Sequence, residues 1–206
     1  KIYSLSPSDS CILRANFESL WPKAGEHPTR IPPPKTNQTS VVIWVEIGSQ
    51  NILLGADLES NGDPSIGWTV ILDNQMVMSG RASIIKVPHH GAKSAHEPRI
   101  WSELLHQDPI SLLTPFTLGN INLPTAEDTQ RLNELTSKAY ITSLPSRRKL
   151  HKFRNRMVKE LGGDTYDIFH GWGHVRVRKS IINQSAPSEI ILFGDAIHLR
   201  HMTSDN

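Results

Sequence analysis

One cysteine, Cys11, is all the thiol chemistry this 206-residue chain has. That excludes an internal disulfide and any multi-thiolate zinc knot, and it fits a reducing compartment, so a cytoplasmic location is expected. Long apolar runs are missing too. None approaches the roughly 20 residues that a membrane-spanning helix needs, which predicts a soluble chain with no membrane partner. Charge of one sign is scarce: 22 Lys and Arg against 20 Asp and Glu leave +2, so affinity for nucleic acid would have to come from local clustering. There is no internal repeat, which sets solenoids aside. The chain opens on Lys1 without a charged-then-apolar leader and reads as a fragment or a processed chain. What is present is an apolar fraction of 37% gathered in short dense runs, enough to bury the core of one domain or of part of a larger one.

The runs alternate in kind. Ile2 to Ser8 reads as an extended start, and a helix with apolar positions Ile12, Leu13, Phe17, Leu20 and Trp21 follows, capped by Ser8 or Asp9. Residues 22–35 hold five prolines, three of them consecutive, and form a connector that neither continues a helix nor pairs as a central strand. Val41 to Ile47 and Ile52 to Gly55, separated by Gly48-Ser49-Gln50-Asn51, predict a hairpin. Further strands are expected at 82–88, 110–114 and 139–142, with helices at 98–106 and 128–138 between them. Strand and helix in alternation predict α/β layers. After Pro145 the pattern predicts a basic helix over 146–161, ended by Gly162-Gly163, and then a hairpin from 172–179 and 189–193. Two units follow, 1–145 and an extension, 146–206.

Chemistry concentrates in two stretches, Leu53-Leu54-Gly55-Ala56-Asp57-Leu58-Glu59 and Ile85-Lys86-Val87-Pro88-His89-His90-Gly91. Each places a metal-ligand residue type directly after an apolar strand, where open α/β sheets carry their reactive groups. A carboxylate can bridge two ions and a neutral imidazole can bind one, so Asp57 and a histidine make half a dinuclear site. Adjacent histidines on a strand would face opposite sides, which leaves one of them as the ligand and the other to touch substrate or orient its neighbour. The plainer readings stand beside these. Asp57 could be an Asx turn or a helix cap, and the His pair could be ordinary hydrogen-bond partners. Lys86, within an apolar run, should reach out of the strand end or meet a carboxylate.

With Asn37 and Ser40 ahead of the first stretch and Gly91-Ala92-Lys93-Ser94 closing the second, the order resembles the C-terminal half of a metallo-β-lactamase-fold hydrolase of the ComEC type, over about residues 1–145. The KxPHHG block is the most specific part. That resemblance implies an αββα sandwich, Asp57 as a bridging metal ligand, His90 as the late histidine ligand and His89 lining the site. It also exposes departures. The family's HxHxDH cluster is absent, and upstream of Asp57 the one histidine is His27, in the Pro-rich connector. Ala56 stands where glycine is usual, and Gly119 to Pro124 lacks the histidine of a GHP-like turn.

A catalytic zinc ordinarily keeps three protein ligands and an open position, so two ligands imply a missing donor set. The expected complement is an N-terminal half of the same protein, present as a separate chain or a nicked fragment. The halves would share two divalent ions, zinc or manganese, that activate water for attack on a phosphodiester, with Lys86 and His89 stabilising the anionic transition state. Arg147, Arg148, Lys149, Lys152, Arg154, Arg156 and Lys159 fall within thirteen residues. They read either as a solvated helix face or as a phosphate-tracking surface for a nucleic-acid substrate. The Pro-rich connector and the resemblance to free-standing hydrolases of bacterial defence extend to an activating protease in antiviral defence. The alternatives are a non-catalytic binding or assembly module of the same fold and a hydrolase of a non-phosphate bond.

Overall fold

A computed structural model describes residues 1–20, 36–60, 62–74, 78–145, 172–182 and 186–203. The Pro-rich connector 22–35 and the basic helix expected over 146–161, with Arg147, Arg148, Lys149, Lys152, Arg154, Arg156 and Lys159, lie outside the described residues. In chain order the elements are β1 (Ile2–Ser4), α1 (Asp9–Leu20), β2 (Ile43–Ile47), β3 (Gln50–Leu54), α2 (Gly67–Asp73), β4 (Ala82–Lys86) and β5 (Leu105–Leu113). They continue with β6 (Phe116–Leu118), β7 (Ile121–Leu123), α3 (Ala126–Leu135), β8 (Ala139–Ile141), β9 (Gly173–Arg178), β10 (Glu189–Gly194) and β11 (Ile197–His198).

Seven strands form one mixed sheet in the order β1-β2-β3-β4-β5-β8-β11, so the fold is mixed α/β. The central strands β3, β4, β5 and β8 run parallel, while β1, β2 and β11 pair antiparallel with their neighbours. Every step from β3 to β8 moves the same way across the sheet. Right-handed crossovers then place all three connections on one face. There α2, a π-helical turn at Ile100–Leu104 and α3 bury Trp68, Ile71, Leu72, Ile100, Leu104 and Leu132 against Trp44, Leu53, Ile85, Val87 and Leu113. The buried Trp68 indole N–H is satisfied by the Leu58 carbonyl at 2.9 Å, which is what makes its burial tolerable.

The other face differs. Register aligns Ile2, Val45, Ile52, Ile84 and Ile110 in one aliphatic row across five strands. Ile84 and Ile110 are buried, yet at the sheet edge Ile2 is 73% exposed. The β9–β10 hairpin is tied to the sheet at both ends. Gly173 lies against Thr142 and Ala196, and the Ile181 carbonyl accepts from the Ser49 hydroxyl at 3.2 Å.

The expected strands are present within a few residues, as is the helix at 128–138, which starts at Ala126 behind a Thr125–Asp128 capping box. α1 is capped by Ser8, whose Oγ accepts from the Cys11 amide at 3.2 Å, but its Ile12, Leu13 and Phe17 face solvent. The helix expected over 98–106 is corrected to the single π-helical turn, because Leu105 is captured by β4, pairing with Ala82, and strand resumes there. α2, the β6–β7 hairpin and β11 have no counterpart in the sequence reading. No helix among the described residues is long and apolar enough to cross a membrane.

Candidate functional site

The loops leaving β3 and β4 interlock at the carboxyl ends of parallel strands. The Gly55 amide donates to the Lys86 carbonyl at 3.0 Å, and a Cβ on Gly55 would come within 2.9 Å of both that oxygen and Pro88 Cβ. Glycine is required there by close approach. Next, Ala56 turns left-handed at φ 47, and its carbonyl accepts from the His89 amide at 2.9 Å. Asp57 is thereby set at the mouth of the β4 loop.

The histidines do not lie on a strand, which corrects the opposite-faces expectation. β4 ends at Lys86, and His89 (φ 46, ψ 46) and His90 (φ 57, ψ 18) occupy a left-handed turn continued by Gly91 at φ 85. Left-handed backbone in two consecutive non-glycine residues costs on the order of 1–2 kcal/mol each, so the surrounding contacts must hold it. Arg131 does part of this. Its guanidinium donates to the Gly91 carbonyl at 2.6 Å while pairing with the buried Asp128 at 2.8 Å. In consequence both imidazoles reach the β3–α2 loop, His89 to Glu59 and His90 to Asp57.

His90 Nδ1 lies 3.0 Å from the Thr114 carbonyl, which can only accept, so Nδ1 carries a proton and, in the neutral ring, Nε2 presents a lone pair. That lone pair faces Asp57 Oδ1 at 3.7 Å. Asp57, 47% exposed at its side chain, accepts no hydrogen bond among the described residues. Two electron-rich atoms thus confront one another at a distance inside the roughly 4 Å that two metal–ligand bonds span, with the histidine already oriented by a backbone acceptor. This donor pair fits a divalent cation. Phe116 stacks on the His90 ring at 5.1 Å and fixes its plane. His89 is the reverse case. Its Nδ1 faces the Asn37 amide nitrogen, a donor, at 3.5 Å, so in the neutral ring the proton sits on Nε2, 3.3 Å from the Glu59 carboxylate. Glu59 is itself held by the Ser94 hydroxyl at 3.0 Å.

Lys86 closes no ion pair among the described residues. Its ammonium donates to the Val87 carbonyl at 3.2 Å, and burial pulls its pKa below the usual lysine value against the opposing charge of Asp57. Among the described residues no group of three or more His, Cys, Asp or Glu converges on one point. Thr114 and Phe116 escaped the sequence reading, the first because a backbone carbonyl has no residue-type signature, the second because its β6–β7 hairpin was not foreseen. Asn37, Glu59 and Ser94 were legible only as motif positions without roles. Comparison with protein-family models, with curated proteins and with solved structures finds no match for this chain.

Proposed function

We propose that this chain is the C-terminal half of a metallo-β-lactamase-fold hydrolase of the ComEC type, cleaving phosphodiesters once an N-terminal half completes the metal site. The observation that carries the reading is His90 Nε2 held 3.7 Å from Asp57 Oδ1, with Nδ1 engaged by the Thr114 carbonyl, at the carboxyl ends of parallel strands. A one-sided helix layer supports it, since a sheet with helices on one face and an aliphatic row on the other is what half of an αββα sandwich requires. Asp57 and His90 are the ligands this chain would give to two zinc or manganese ions. Bound there, such ions supply water activation and neutralise charge at the phosphorus. The chain's own residues do the rest: Thr114 holds the His90 tautomer, Glu59 polarises His89 toward substrate, and the Lys86 ammonium offsets the Asp57 charge and favours anions nearby.

The test is metal analysis of the complex of this chain with its N-terminal half, followed by chelator-controlled cleavage of labelled DNA, RNA and protein. About two ions per active unit are expected, with nucleic-acid cleavage that Asp57→Ala abolishes; full chelator-sensitive activity in that variant overturns the site. A second reading, a binding or assembly module, is favoured by His89, whose two nitrogens are both engaged by Glu59 and Asn37 without a metal. It requires a complex that takes up no metal. A hydrolase of a non-phosphate bond would show itself by cleaving the protein substrate alone.

A further inference from the structure

The opposite pole of the sheet carries a polar cavity that the proposed hydrolase does not use. It measures about 500 Å³ and lies at the N-terminal ends of β3, β4 and β5, where Gln50, Arg81, Ser83, Asp108, Lys138 and Lys179 line it. Three cations and one carboxylate face this space. The carboxylate is committed elsewhere: Asp108 accepts from the Ser137 amide, the Ser137 and Thr136 hydroxyls and the Lys138 ammonium. Arg81 donates to the Leu105 carbonyl at 3.2 Å and has no ion pair among the described residues. Lys179, half-buried on the strand-to-turn end of the β9–β10 hairpin, has neither an ion pair nor a hydrogen bond among them. Burial and the like charge of Lys138 pull its pKa below the ordinary lysine value, a repulsion that an anion between the two would relieve. Ser188 adds a hydroxyl to the lining, whereas the Ser49 and Ser83 hydroxyls already donate to the Ile181 carbonyl and to Gln50 Oε1.

We infer that this cavity binds a phosphate group, held between Lys179 and Lys138 with Arg81 beside them. A dianion with several acceptor oxygens matches three cations lining one cavity better than a monocarboxylate, and the volume admits a phosphate or pyrophosphate with a small substituent. The phosphate can belong to a free metabolite or to a nucleic-acid backbone. The cavity and the Asp57–His90 site lie at opposite strand ends, so the two proposals fail separately.

The experiment titrates the purified chain with inorganic phosphate and pyrophosphate at constant ionic strength, following the ¹³Cε signals of Lys138 and Lys179. Both signals should move together and saturate. Lys179→Gln should weaken pyrophosphate binding at least tenfold and Arg81→Gln should weaken it as well, while Asp57→Ala leaves it unchanged. A DNA dodecamer that displaces pyrophosphate from this cavity identifies the backbone as the source; one that does not identifies a free phosphate compound. Shifts that fail to saturate, or two variants that bind pyrophosphate as the wild-type chain does, overturn the site.

Discussion

At the scale of single residues, the tautomers separate the roles of two neighbours that the motif alone treats as a pair. Neutral His90, whose Nδ1–H donates to the Thr114 carbonyl, offers its Nε2 lone pair to a cation; neutral His89, whose Nε2–H faces the Glu59 carboxylate, does not. In the assembled protein His90→Ala should therefore lower metal affinity on the order of 100-fold, whereas His89→Ala should leave metal content unchanged and reduce turnover. Metal content by mass spectrometry beside kcat separates the two. Equal loss of metal in both variants would cancel the assignment. Backbone strain makes a second expectation. Ala56 holds φ 47, so Ala56→Gly releases roughly 1–2 kcal/mol of left-handed strain and returns part of it as unfolded-state entropy, a net gain of about 0.5–1 kcal/mol in urea unfolding. Gly91→Ala moves the other way. It combines φ 85 with a Cβ placed 2.9 Å from both Leu113 Cδ2 and Leu132 Cδ1, and a loss of about 2 kcal/mol or more is expected.

Between elements, Asp108 couples the start of β5 to the link between α3 and β8. Burial pushes its pKa up, but hydrogen bonds from the Ser137 amide, Lys138, the Ser137 hydroxyl and Thr136 outweigh that and hold it well below the carboxylate range. A depressed folded-state value means that the contribution is complete above the unfolded carboxylate value of about 3.9 and fades as pH falls below it. Asp108→Asn keeps a side chain that tolerates the left-handed backbone at φ 54. It should cost about 1 kcal/mol at pH 7 after solvent screening is allowed for, with the gap to wild type narrowing below pH 4. Urea midpoints at pH 7, 4 and 3 read this directly; a gap independent of pH would remove the charge from the explanation. The same neighbourhood marks where element reading from sequence works and where it stops. The runs forming β2, β3, β4 and β8 announce themselves because both neighbours on the sheet want aliphatic residues, and α3 because Thr125 and Asp128 cap it. The stretch 98–106 misleads, since Ile100, Leu104 and Leu105 satisfy helical spacing until Leu105 is claimed by Ala82 across the sheet, a contact no local pattern encodes. The site was legible in its residue types, Asp57 and the histidine pair, but not in its geometry: the left-handed turn at His89 and His90 depends on Ala56, Arg131 and Thr114, all distant in the chain.

For the whole molecule, association turns on what the sheet leaves uncovered. Because all parallel crossovers fall on one face, no helix among the described residues covers the aliphatic row on the other. Ile2, Ile47 and Leu54 are exposed there or at its edge by 73%, 45% and 38%. On α1, Ile12, Leu13 and Phe17 add exposures of 43%, 57% and 66%. Exposed apolar surface of this kind favours association, and the proposal of an N-terminal half names the partner that would bury it. Two consequences differ. Alone, the chain should self-associate with concentration and bind an apolar dye; with its N-terminal half present it should sediment as a one-to-one complex and lose the dye signal. Leu13→Lys and Leu54→Lys probe α1 and the sheet face separately. If the sheet face is the docking surface, Leu54→Lys should weaken the complex on the order of tenfold or more, since a charge buried against an apolar partner is costly. Leu13→Lys then affects only self-association. A chain that stays monomeric and dye-silent at high concentration, or a complex indifferent to Leu54→Lys, would detach the exposed face from the proposed second half and leave the Asp57–His90 pair without its remaining donors.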